Sequence, residues 1–216
     1  MDVIEDIEKL EKPFTNAVVT IGNFDGVHLG HQALFRQVIQ QASMINGTSV
    51  VITFDPHPLR ALGKNGPPLI TRRDQKIELI RNTGVDKIIC IPFTREFALT
   101  EPTEFIYDFL IGKIGMKSII VGPDYSFGKD RKGDIYLLRS EGRKGEFSVI
   151  IPDWIHDAGA GSERISSTKI RELVMEGRVE DAPKYLGRQY QIRGKVVKGR
   201  DRGGRKLGFP TANIKL

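Results

Sequence analysis

Cysteine is almost missing from this chain. One residue, Cys90, among 216 excludes an intrachain disulfide and any cysteine-rich zinc site. Its apolar setting, DKIICIPF, marks a buried, inert thiol. No stretch approaches the roughly 18–20 apolar residues of a membrane span. The N-terminal MDVIEDIEKLEK is acidic and lacks the apolar core of a signal peptide, so a cytoplasmic location and no membrane partner are expected. Two familiar phosphate loops, G-x-G-x-x-G and G-K-[ST], are absent. So are H-E-x-x-H, internal repeats and low-complexity tracts.

What is present is an ordinary globular composition, 39% hydrophobic and 8% aromatic, enough to bury a sizeable core. The length suits one large domain, or one domain and a smaller piece. The formal charge is +6, unevenly spread. From Lys184 onward there are ten basic residues (184, 188, 193, 195, 198, 200, 202, 205, 206, 215) and one acid, Asp201, a balance that favours an anionic partner such as nucleotide phosphate.

Five apolar runs, AVVTIGNF, SVVITFD, DKIICIPF, SIIVG and FSVIIPDW, are continuous rather than alternating, as in strands buried on both faces of a parallel sheet. Helical patterns separate them. HQALFRQVIQQAS sets Leu34, Phe35, Val38, Ile39 and Ala42 on one stripe. TEFIYDFLIGKIG does the same with Phe105, Ile106, Phe109 and Leu110, and stops at Gly115. The alternation predicts an α/β fold, a doubly wound, Rossmann-like parallel sheet. Past Gly187, QYQIRGKVVKG alternates, placing Tyr190, Ile192, Gly194 and Val196 on one side, and no helix signal follows. The expected boundary divides residues 1–186 from 187–216, and the second piece is too short for a core of its own.

Four constellations could carry chemistry. GNFDGVHLGH (22–31) runs from a strand through a glycine-rich turn into a helix, where backbone N–H groups and the dipole favour phosphate. His28 and His31, three apart, can face one way there and donate to phosphate oxygens. Two other readings stay open. A zinc pair would need a third ligand, yet the only other histidines are His57 and His156. The two could also be unrelated structural histidines. ITFDPHP (52–58) ends the second strand with His57 between two prolines, either a rigid wall for a flat ligand or a stiffened exit loop. VGPDYSFGKDRKGD (121–134) offers Tyr125 and Phe127 for stacking on a planar ring, or is an aromatic surface loop. ISSTKIRE (165–172) clusters hydroxyls and cations at a helix start, which suits a polyphosphate, although Ser166 or Ser167 could simply cap the helix.

In this order GNFDGVHLGH, FDPHP, VGPDYSFG and ISSTKIR resemble the N-terminal module of the bacterial bifunctional riboflavin kinase/FAD synthetase family. LGRQYQIRGKVVKGRDRGGRKLGFPTANI resembles the opening of its C-terminal kinase module. The resemblance covers nearly the whole chain from about residue 16. It implies an FMN adenylyltransferase that moves AMP from ATP to the phosphate of FMN, giving FAD and pyrophosphate, with Mg²⁺ accompanying ATP. His28 and His31 would be the catalytic pair. Gly22, Asn23, Phe24, Asp25, Gly26 and Gly30, with Ser166, Ser167, Thr168 and Arg171, would bind ATP; Lys169 fills a more variable position. Pro56, His57, Pro58, Asp124, Tyr125 and Phe127 would line the flavin site. Thr211 and Asn213 match the kinase module's Mg²⁺–ATP residues. That module's catalytic carboxylate comes from further along the family's β-barrel, so the 216-residue polypeptide is expected to lack riboflavin kinase activity. The alternatives are another H-x-G-H nucleotidyltransferase with a different acceptor, or a non-catalytic flavin, nucleotide or RNA binder; the expected partners are small molecules and not nucleic acid.

Overall fold

A computed structural model describes residues 3–153, 164–197 and 213–215. Six strands form one parallel sheet: β1 (Val3–Ile4), β2 (Ala17–Ile21), β3 (Ser49–Asp55), β4 (Lys87–Pro92), β5 (Met116–Ile120) and β6 (Ser148–Ile150). Their spatial order is β1-β4-β3-β2-β5-β6. From β2 the chain steps outward through β3 to β4, then returns to the other flank of β2 as β5 and β6. The reversal makes the carboxyl ends of β2 and β5 a topological switch point, where open α/β sheets leave a crevice.

Both faces of the sheet are covered, which is why its strands are continuous apolar runs. Alternate residues go to opposite cores. Val19, Ile21, Ile52, Ile89 and Ile91 pack against one face, while Val51, Ile88 and Cys90 pack against the other. Cys90 is buried, as expected, and burial pushes its thiol pKa up. Two-residue β1, paired in parallel with β4 through Val3–Ile88 and Ile4–Ile89, was not among the expected strands, since two apolar residues make no run.

Helix α1 (Leu29–Met44) buries Phe35, Val38 and Ala42 of its expected stripe, with Leu34 and Ile39 half-buried. Helices α2 (Pro58–Ala61) and α3 (Arg73–Arg81) lie between β3 and β4. Helix α4 (Pro102–Glu104) runs directly into a wider, π-type coil over Phe105–Lys113. That coil buries Phe105, Ile106 and Leu110 and ends before Gly115, whose φ of 78° stops it. Helix α5 (Ile135–Gly145) precedes β6, and α6 (Ser167–Met175) and α7 (Ala182–Leu186) follow it. Ile165, Ile170, Leu173, Tyr185 and Leu186 form a small core with Ile70 and Leu29. That core holds the start of α6 beside the start of α1.

Beyond α7, β7 (Lys195–Val197) pairs antiparallel with β8 (Asn213–Lys215). Of the expected alternating face from Tyr190 to Val196, Tyr190 is half-buried against the small core, whereas Ile192 and Val196 are exposed, and so is Ile214 across the pair. Asn213 lies in β8 with its side chain exposed, whereas Thr211 lies outside the described residues. Among the described residues no helix is long and apolar enough to cross a membrane.

Candidate active site

The turn leaving β2 is made of unusual backbone. Phe24 (φ 48°), Gly26 (φ 83°) and Val27 (φ 40°) are all left-handed. For phenylalanine, and more so for β-branched valine, that conformation costs about 1–3 kcal/mol and persists only where surrounding contacts over-determine it. At Gly26 the conformation is cheap, and a Cβ there would also meet the Ile70 side chain at 3.0 Å.

The contacts that hold the turn come from far along the chain. The Asp25 carboxylate is buried and accepts from the backbone N–H groups of Ile70 (3.1 and 3.0 Å to its two oxygens) and Thr71 (3.0 Å), from the Thr71 hydroxyl (3.1 Å) and from Arg171 Nη2 (2.8 Å). Gly26 N–H donates to Thr71 Oγ1 at 3.1 Å. Asp25, expected as an ATP contact, thus has its carboxylate engaged by the protein itself. Its placement is that of a fastener between the turn, the 70–71 segment and α6.

His28 caps α1. Its Nδ1 accepts the His31 backbone N–H at 3.3 Å, so the neutral ring carries its proton on Nε2, free to donate. The two imidazoles stack with centroids 3.5 Å apart and planes 19° apart. A Cβ on Gly30 would come within 3.2 Å of the His28 ring, so glycine leaves that ring its room. Burial, aided by nearby Arg164, lowers the His28 pKa to about 4. His31 is pushed well below the ordinary histidine value by burial, then by His28 and Lys76. Two imidazoles this close could not both carry charge, and burial keeps both neutral. The Phe24 ring meets His31 edge-on at 5.1 Å. Among the described residues His31 Nδ1 and Asn23 Oδ1 are buried without a hydrogen-bond partner, as are Thr20 Oγ1 and Ser118 Oγ in the neighbouring strands; at the two turn residues this leaves polar atoms available to a ligand.

The second phosphate-like motif lies against the first. Ser166 is the cap of α6, accepting the Lys169 N–H at 3.2 Å; accepting leaves its own O–H free to donate. Ser167 Oγ donates to the Asp25 carbonyl at 2.9 Å. Arg171 reaches Asp25 and also donates from Nε to Pro68 O at 2.9 Å. Thr168 is exposed on the first turn.

At the end of β3 the Asp55–Pro56 peptide is cis. His57 caps α2 by accepting the Leu59 N–H at 3.3 Å, with Pro58 in the first helical position. Burial lowers the His57 pKa. After β5, Asp124 pairs with Arg164 at 2.9 Å. Tyr125 stacks on Phe127 at 5.4 Å with planes 16° apart, and burial raises its phenol pKa. Phe127 belongs to the main core beside Phe105. The alternative of an aromatic surface loop does not hold for this ring, which is buried with Tyr125 stacked on it. Phe54, Phe93 and Phe97 continue the aromatic layer from the end of β3.

Lys76 escaped the sequence reading. It is buried, and its ammonium donates to the carbonyls of Asn23 (3.2 Å) and Phe54 (2.9 Å), tying the turn after β2 to the end of β3; burial lowers its pKa. The available signal was a charge four residues before Ile80 on the buried stripe of α3. Gln32 and Arg188 also reach the turn, and neither carries a motif. Among the described residues no group of three histidine, cysteine or acidic side chains is placed to hold a metal by itself.

Comparison with known proteins agrees with this geometry. The FAD synthetase family model matches residues 10–169, and the riboflavin kinase model matches 186–216. A protein of Buchnera aphidicola subsp. Schizaphis graminum is 42% identical over 218 aligned residues, spanning 100% of this chain and 69% of its own length. One from Escherichia coli K12 is 36% identical, spanning 100% and 68%. Both are named bifunctional riboflavin kinase/FMN adenylyltransferase. This chain therefore spans about two thirds of their length. A Streptococcus pneumoniae crystal structure described as a macrolide-efflux protein superposes with a TM-score of 0.79 at 34% identity, covering 99% of this chain and 68% of that one. Pantothenate synthetase from Thermus thermophilus has a TM-score of 0.50 at 15% identity, over 84% and 79% of the chains, a likeness of fold alone.

Proposed function

The chain belongs to the bifunctional riboflavin kinase/FMN adenylyltransferase family, and on that premise we propose how its residues divide the work. The reaction is FMN adenylylation. A phosphate oxygen of FMN attacks the α-phosphorus of ATP, the bond to the bridging oxygen breaks, and its electron pair leaves with pyrophosphate. Little covalent work falls to the protein in such transfers, which depend on positioning and on donors aimed at developing charge.

One observation carries the assignment of roles. Two stacked, neutral imidazoles stand at the N-terminus of α1, beside the switch point and next to the start of α6. His28 donates from Nε2 to the triphosphate as charge moves toward pyrophosphate, and His31 acts beside it. The N–H groups of both helix starts, the Ser166 hydroxyl and Thr168 complete the phosphate cradle. Asp25, Ser167 and Arg171 keep that cradle closed rather than filling it. Mg²⁺ accompanying ATP would supply neutralisation of phosphate charge.

The flavin lies against Pro56, His57 and Pro58 on one side and Tyr125 on the other, with Asp124 at its edge and Phe127 behind Tyr125. Residues 1–186 form the adenylyltransferase domain, and 187–216 belong to the kinase module. Purified protein incubated with ATP, Mg²⁺ and FMN, with the flavins then separated chromatographically, tests the reading. FAD and pyrophosphate should appear in equal amounts; FMN that binds and is never converted would overturn it. A parallel incubation with riboflavin measures any kinase activity.

A further inference from the structure

Arg188 immediately follows Gly187, the left-handed stop of α7, and lies in the segment matched by the riboflavin kinase model. Its guanidinium nevertheless turns back to the glycine-rich turn. Nη2 donates to the Gly26 carbonyl at 2.5 Å, and Nη1 donates to the Val27 carbonyl at 3.1 Å and to Leu186 O at 3.3 Å. Gln32 donates to the carbonyls of Val27 and Leu186, each at 3.0 Å. The Val27 carbonyl thus receives two side-chain donors. These are the carbonyls of the two left-handed residues directly before His28. Arg188 is partly buried, and burial lowers its pKa.

We propose that Arg188 is a positioning residue for adenylyl transfer: its two-pronged grip on Gly26 and Val27 holds the strained turn in the one conformation that stacks His28 on His31. The inference rests on the phosphate role proposed for that pair. A peptide at φ 40° on a valine relaxes toward ordinary backbone once the Arg188 fork is withdrawn from the Gly26 and Val27 carbonyls, which leaves the Val27 carbonyl with Gln32 as its side-chain donor. Rotation there re-aims the Nδ1 cap of His28, and with it the Nε2–H. A fork of fixed N–H groups suits two neighbouring carbonyls in a way a single ammonium does not. The kinase-matched segment would thereby complete the adenylyltransferase site, with the family boundary passing through a shared hydrogen-bond network.

The test compares Arg188→Ala, Arg188→Lys, Arg193→Ala and His28→Ala in the full chain, reading kcat, FMN affinity by flavin fluorescence, and melting temperature. Arg188→Ala should lower kcat about tenfold to a hundredfold, the scale of a misplaced catalytic group, while FMN affinity stays within about twofold. Arg188→Lys should fall between. Free guanidinium at non-denaturing concentration should restore much of the Arg188→Ala loss and do nothing for His28→Ala. Arg193, whose ion pair with Glu78 is partly exposed, should be replaceable by alanine without loss. An Arg188→Ala kcat within about twofold of the parent would overturn the proposal. So would a loss that tracks weakened FMN binding and a lower melting temperature without guanidinium rescue. Full activity in His28→Ala would instead remove the reading on which it rests.

Discussion

The turn after β2 and the pair β7–β8 represent opposite ways of using polar and apolar residues. In the turn, polar side chains are buried: Asp25, His28 and Lys76 are at most 8% exposed. Asp25 and Lys76 are tied to segments distant in sequence, and His28 caps its own helix. In β7–β8, apolar side chains face outward, with Val196 66% and Ile214 48% exposed. The turn holds three left-handed residues, of which Phe24 and Val27 are types that local propensity would reject. The strand pair has no left-handed residue, and among the described residues the ties nearest to it are Tyr190 against the small core and the Arg193–Glu78 pair. Strain and buried charge therefore collect at the proposed phosphate site, and the contacts that maintain them come from stretches distant in sequence.

The largest expected effect follows from cutting the most connected group. Asp25→Ala would leave Arg171 unpaired, with side-chain exposures of 16% for Arg171 and 5% for Asp25, and would strand the N–H groups of Ile70 and Thr71. Breaking a buried pair costs about 3–5 kcal/mol, so denaturant unfolding should show a loss of that order, with Asp25→Asn intermediate. A change below about 1 kcal/mol would mean that water replaces these partners.

The next effect is pH-linked. An unfolded His28 takes up a proton near its ordinary value of 6.5, whereas the folded residue resists until about pH 4. The unfolded state thus binds more protons in that window. The contribution is complete above pH 6.5 and is lost progressively as pH falls toward 4, by up to about 1.4 kcal/mol per pH unit for each such histidine. Unfolding free energies measured across that range should fall on acidification, and less steeply in His28→Asn. Identical slopes would contradict a buried, neutral His28.

The smallest effect belongs to the strand pair. Val196→Ser should change stability by no more than about 0.5 kcal/mol, as exposed substitutions do, and should leave FAD formation untouched. A larger loss would show that this face is covered.

Most of the sheet was legible because both its faces are buried, so each long strand is an uninterrupted apolar run. Two-residue β1 was below the length at which any pattern exists. The histidine stack was legible from spacing, since residues three apart at a helix start share a side. Asp25 was legible as unusual but not as a fastener, because its partners lie 45, 46 and 146 residues away and nothing local announces them. Phe127 was legible as an aromatic beside Tyr125 but its burial was not, because that comes from packing beside Phe105 on a different element. Lys76 could have been found: a lone cation on the apolar stripe of α3 has to be burying its charge against something.

The central claim is that the stacked, neutral histidines hold the triphosphate during transfer. Turnover of His28→Ala and His31→Ala at saturating ATP and FMN, measured beside their FMN affinities, tests it most directly. The account predicts a fall of about 10²–10³ in kcat for each, the loss that follows removal of one oriented donor, with FMN bound as tightly as before. Either variant turning over at the parent rate would contradict it.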